Sequence, residues 1–85
     1  MSAPRGPLGP PDALRVDAQG LRCPLPVIRL AAALRDLPLG ARVELLASDP
    51  AARTDVPAFC RMRGQRLLEV RDGPDHTAYL VERVS

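Results

Sequence analysis

Apolar and polar positions change their period several times along the chain, and each change marks an element. "ALRVDAQG" (Ala13 to Gly20) alternates, with Leu14 and Val16 facing one way and Arg15 and Asp17 the other. That is the pattern of a short strand, ended by Gly20. "VIRLAAALRDL" then adopts helical spacing: Val27, Leu30, Ala31 and Leu34 share a face, and Ile28 and Leu37 widen it. Arg29, Arg35 and Asp36 lie mostly off that face, and "PLG" at 38–40 ends the helix. "ARVELLAS" (Ala41 to Ser48) begins by alternating and finishes as an apolar run. This suits a central strand covered on one face by helices.

The next segment, "DPAARTDVPAFCRMRG", poses a problem of placement. A helix running from Pro50 would carry Pro57 in its interior, at a cost of about 3 kcal/mol. The lower-cost expectation is a loose turn over Pro50 to Arg53, then a helix from Thr54 or Asp55 with Pro57 in its first turn. Val56, Phe59, Cys60 and Arg63 then share a face, and Gly64 ends the helix. "QRLLEVRD" and "TAYLVERV" are strands joined by "GPDH", a hairpin turn. The order is β-α-β-α-β-β. It predicts an α/β (α+β) two-layer sandwich: a four-stranded mixed sheet with two helices on one face.

Composition narrows the picture. Residues 1–12, "MSAPRGPLGPPD", offer little to a core and read as a disordered proline-rich arm, leaving 13–85 as one small domain. A domain of that size buries only about 60% of its unfolded surface, so it has no room for a large cofactor pocket. No stretch resembles a signal peptide or a membrane span, so the expectation is a cytoplasmic protein without membrane insertion. In a reducing compartment a disulfide between Cys23 and Cys60 is not expected. With a single histidine, His76, they match no metal-ligand pattern, and no cofactor is expected. The net charge is +2, and all twelve basic residues are arginine. They are spread along the chain, ten acids balance them, and only Phe59 and Tyr79 could stack on bases, so there is no strong nucleic-acid signal.

The candidate chemistry lies in "GLRCPLPVI", residues 20–28. A residue before proline is pushed into extended backbone, as an N-cap requires. Pro24 fits the first helical position, and Pro26 also lies in the first turn. Leu25 precedes a proline too, so the helix starts at either Pro24 or Pro26. In both registers the Cys23 thiol sits near a helix N-terminus on a stiff loop. An ordinary thiol is about 3% thiolate at pH 7, and a helix dipole raises that to about a tenth. Arg22 would raise it further if it folds alongside. The expected sulfur is exposed and modestly activated, which suits a group carrier. A cysteine hydrolase lacks its base, because His76 lies in the hairpin turn. A CxxC exchange pair and a phosphate loop are both absent. Cys60, on the apolar face beside Phe59, reads as a small buried hydrophobe. Asp49 and Asp55 read as capping and turn residues.

"DAQGLRCPLPVI" resembles the signature of the TusA-like (SirA-like) sulfur carriers, a Cys-Pro-x-Pro at the start of the first helix. "SDPAARTDVPAFCRMRG" is similar to the same family's Asp-Pro … Asp-Ile/Val-Pro-x-Phe-Cys segment. The resemblance runs from about residue 14 to Ser85. It implies a β-α-β-α-β-β sandwich and a persulfide carried on Cys23. It implies a cysteine desulfurase or rhodanese-type sulfur donor and a downstream acceptor protein. Family acceptors include tRNA thiolation, molybdenum cofactor assembly and sulfur oxidation. Pro24 and Pro26 would hold the loop and Arg22 would contact a partner. Arg29 and Arg35, on or beside the first helix, would form the docking face. Such a protein is a sulfurtransferase-type carrier acting with partner enzymes, not a stand-alone catalyst. The competing class is a non-catalytic regulatory or RNA/protein-binding module, which would tolerate loss of the Cys23 thiol.

Overall fold

A computed structural model describes residues 13–85, so the expected proline-rich arm lies outside the described residues. The elements are β1 (Leu14–Ala18), α1 (Leu25–Arg35), β2 (Arg42–Ala47), α2 (Ala52–Arg63), β3 (Arg66–Asp72) and β4 (Thr77–Glu82). They form one mixed sheet in the order β1-β2-β4-β3. β1 runs parallel to β2, with Val16 opposite Leu45, while β4 is antiparallel to both β2 and β3. The apolar run of β2 marks it correctly as an interior strand. Gly73 N–H closes the hairpin on the His76 carbonyl at 2.7 Å. Leu68 falls in an irregularity of the β3 register, between Leu67 and Glu69.

Alternation along β2 and β4 divides the apolar side chains between two faces. Val43, Leu45, Ala47, Tyr79 and Val81 meet Leu30 and Leu34 of α1 and Val56 and Cys60 of α2 in the main core. Leu46, Ala78 and Leu80 point to the other face. There Glu44 is buried and accepts a hydrogen bond from Arg15 Nε at 3.0 Å, which satisfies its charge. Among the described residues, no helix is long and apolar enough to cross a membrane.

Both helices are closed by side chains or special backbone. Arg83 donates to the carbonyls of Leu34, Arg35 and Leu37, holding the C-terminal end of α1 against β4. Gly64 ends α2 with φ of +72°, the left-handed conformation expected of it.

The start of α2 differs from expectation. The helix begins at Ala52, so Pro57 lies within it rather than in its first turn. Asp49 Oδ1 accepts from the Ala51 N–H at 3.0 Å. Three tight bonds follow, from the N–H groups of Ala52, Arg53 and Thr54 to the carbonyls of Asp49, Pro50 and Ala51. These satisfy the first donors before any i→i−4 bond is needed. The segment read as a loose turn is therefore already the entry to the helix, and Pro57 removes a single later bond.

Candidate functional site

The β1–α1 and β2–α2 loops leave the same end of two parallel neighbours and lie side by side. Two side-chain bonds tie them. Gly20 N–H donates to Ser48 Oγ at 2.8 Å, and Cys23 N–H donates to Asp49 Oδ2 at 2.7 Å. Asp49 therefore serves both loops, turning its own chain into α2 with one oxygen and fixing Cys23 with the other. These bonds to backbone N–H groups hold its carboxyl below the usual carboxylate range, and Arg22 adds a smaller electrostatic contribution.

The helix start falls between the two expected registers. Pro24 is the cap residue, Leu25 is the first residue of α1, and Pro26 is the second and is buried. The Cys23–Pro24 peptide is cis. Leu25 is helical although a proline follows it. Its N–H donates to the Arg22 carbonyl at 2.8 Å, which commits it to a tight turn. Cys23 lies just outside the helix and is exposed.

This corrects the expected electrostatics. The nearest N–H groups of α1 are deleted by Pro24 and Pro26 or engaged by Arg22. The thiol instead donates a hydrogen bond to the Asp55 carboxylate, and that bond pushes its pKa up. Loss of solvent and the charges of Asp55 and Asp49 act in the same direction. Arg22 sits by Asp49 and adds to the stabilisation of that carboxylate. These surroundings favour the neutral thiol of the unloaded Cys23, where a partly ionised one is expected from the helix terminus.

Cys23 opens onto a groove of about 350 Å³ between the two helices, lined by Pro24, Val27, Asp55, Phe59, Met62 and Arg63 among others. Arg63 lies over the Phe59 ring at 5.8 Å from its centroid. Met62 is 81% exposed, which leaves an apolar, deformable wall open to solvent. The other expected contact residues are dispersed. Arg29 is exposed on α1 outside the groove lining. Arg35, at the far end of α1, lines a second cavity of about 310 Å³ with Arg63 and Arg83. Cys60 is buried in the core as expected, and burial raises its pKa.

Sequence reasoning gives Asp49 and Asp55 only capping and turn duties, whereas the structure brings Asp49 to the Cys23 N–H and Asp55 to the Cys23 thiol. Their signal was the second motif, since Asp49-Pro50 and Asp55-Val56-Pro57 frame the part of α2 that faces Cys23.

The family model described as "Sulfurtransferase TusA" matches residues 14–83. A "Sulfur carrier protein TusA" from Pseudomonas putida is 37% identical over 73 residues, covering 86% of this chain and 90% of its own length. One of the same name from Pseudomonas paraeruginosa is 38% identical over 74 residues, covering 87% and 92%. Another from Pseudomonas aeruginosa is 38% identical over 72 residues, covering 85% and 90%.

Proposed function

The chain belongs to the TusA family of sulfur carrier proteins, and from that premise we propose that Cys23 carries sulfur as a persulfide between a donor enzyme and an acceptor protein. The observation that supports this reading is an exposed thiol on a loop pinned from two sides, at the mouth of an open groove. The relay is a thiol–persulfide exchange. Cys23 Sγ attacks the terminal sulfur of the donor's persulfide, and the donor's S–S bond breaks. The donor cysteine leaves as a thiolate and ends with the proton Cys23 gave up. One sulfane sulfur moves, with no net oxidation or reduction. Delivery to the acceptor is the same exchange with the roles reversed.

In this reading Pro24 and Pro26 fix the loop without offering N–H groups to the sulfur. A cysteine desulfurase or a rhodanese-type enzyme is the donor, and a cytosolic, reducing setting keeps the unloaded cysteine from forming a disulfide. The exposed Arg22, Arg29 and Arg35 give a partner its basic contacts. The protein then works as a covalent intermediate station, with catalysis supplied by its partners.

Intact-protein mass spectrometry tests the reading. Incubated with cysteine and a cysteine desulfurase, or with thiosulfate and a rhodanese, the wild type and Cys60→Ser gain one reductant-labile sulfur, and Cys23→Ser gains none. If no form gains sulfur from either donor, the carrier reading fails and a non-catalytic binding module takes its place.

A further inference from the structure

We propose that Asp55 sorts the two states of the carrier: it holds the unloaded Cys23 as a thiol turned into the groove, and it drives the loaded persulfide out toward solvent. This rests on the carrier reading of Cys23 given above. Asp55 lies in the first turn of α2, half-buried, on the wall of the groove into which the sulfur opens. The thiol has a proton to give, and Asp55 accepts it in an S–H···O bond. A carboxylate is more than about four pKa units more acidic than a thiol, so it does not take the proton as a base. It retains the proton on sulfur.

Loading reverses the balance. A persulfide is more acidic than the thiol it came from, so at neutral pH the terminal sulfur is an anion with no hydrogen to donate. The groups next to it then favour expulsion, and the groove's cation lies about two turns of α2 beyond Asp55. Asp55 on α2 and Asp49 on the β2–α2 loop are negative. Arg22 on the β1–α1 loop sits by Asp49. Arg63, the cation of the groove wall, lies over Phe59. Val27, Phe59 and Met62 offer no donor, and the prolines have removed those at the start of α1. An anion flanked by two carboxylates, with no donor beside it at the start of α1, is better placed in water. The same residue that quiets the empty carrier thus presents the full one.

The full-length chain in a Cys60→Ser background gives two readouts, with Asp55→Asn and Asp55→Ser as the test variants and Asp55→Glu as the conservative control. The first is the pH profile of Cys23 alkylation by iodoacetamide. Asn and Ser should be alkylated about threefold or more faster near pH 7.5, with a profile moved to lower pH, while Glu stays near wild type. The second is the rate at which cyanide removes sulfur from the loaded protein. It should fall in Asn and Ser, because the persulfide is no longer expelled. A residue that only helps start α2 would move the unfolding midpoint and neither readout. Superimposed alkylation profiles, or unchanged cyanide rates, overturn the proposal. Failure of every form to load sulfur leaves the alkylation result standing and instead removes the carrier reading.

Discussion

The two strand-to-helix junctions begin alike and solve opposite problems. β1 and β2 are parallel and paired to the same level, Ala18 opposite Ala47, and each leads through a proline-containing turn into a helix on the same face. At the second junction the chain serves itself. Asp49 accepts from Ala51, the helix-start donors are satisfied within the turn, and the carboxylate is stabilised as an anion. At the first junction the chain discards its donors in two prolines and borrows its anchors, Ser48 and Asp49, from across the gap. A helix N-terminus is ordinarily an anion site. Here one is used that way, by a structural aspartate, and the other is emptied of N–H groups around the sulfur. The sequence motif that draws the eye is the less self-sufficient of the two.

Changes at three positions would break or sharpen that contrast. The largest effect is expected from Asp49→Ala, which removes the acceptor for both Ala51 and Cys23. It should lower the thermal midpoint by several degrees and raise hydrogen exchange at both loops together. If only the β2–α2 loop loosens, the junctions are independent. The pH dependence follows from the depressed pKa of Asp49. A carboxyl whose folded pKa is lowered contributes stability above its unfolded value, near about 3.9, and loses it as pH falls through the folded value. The stability gap between wild type and Asp49→Asn, measured in urea, should be constant from about pH 5 to 7 and close toward about pH 3.

Ser48→Ala should act in the same sense and less strongly. It removes the hydroxyl that accepts from Gly20. An exposed hydrogen bond of this kind is worth about 0.5–1 kcal/mol, readable as a shift of the urea midpoint at constant slope. The smallest effect is expected from Pro26→Ala, which restores an N–H to the first turn of α1. If the missing donors matter to the sulfur, Cys23 alkylation near neutral pH should rise by a factor of about five at most, the scale of a helix-dipole contribution. An unchanged rate would mean that the missing donors have no part in the thiol's behaviour.

The sequence carried the elements well because their signals are local. Alternation in "ALRVDAQG" and the apolar run of "ARVELLAS" identify β1 and β2, and the 3.6-residue spacing of Val27, Leu30 and Leu34 identifies α1. Gly64 announced its left-handed cap. The start of α2 was misplaced because a proline rule was applied without knowing that Asp49 would turn the chain two residues earlier. The thiol's electrostatics were less legible still. Asp55 is 32 residues from Cys23 (55 − 23), and nothing in "GLRCPLPVI" indicates that a carboxylate from another helix will face the sulfur. The helix-dipole expectation rests on a neighbour visible in sequence, the α1 terminus, whose nearest donors the prolines remove.

That separation along the chain also sets an order of events during synthesis. Cys23 leaves the ribosome before the residues that restrain it. At about 5–20 residues per second, Asp55 follows roughly two to six seconds later. Until β2 has paired and α2 has docked, the sulfur belongs to an unrestrained peptide with ordinary thiol reactivity. Its quiet state depends on α2 being docked beside α1, so the reactivity of the cysteine is a readout of whether the second half of the domain is in place.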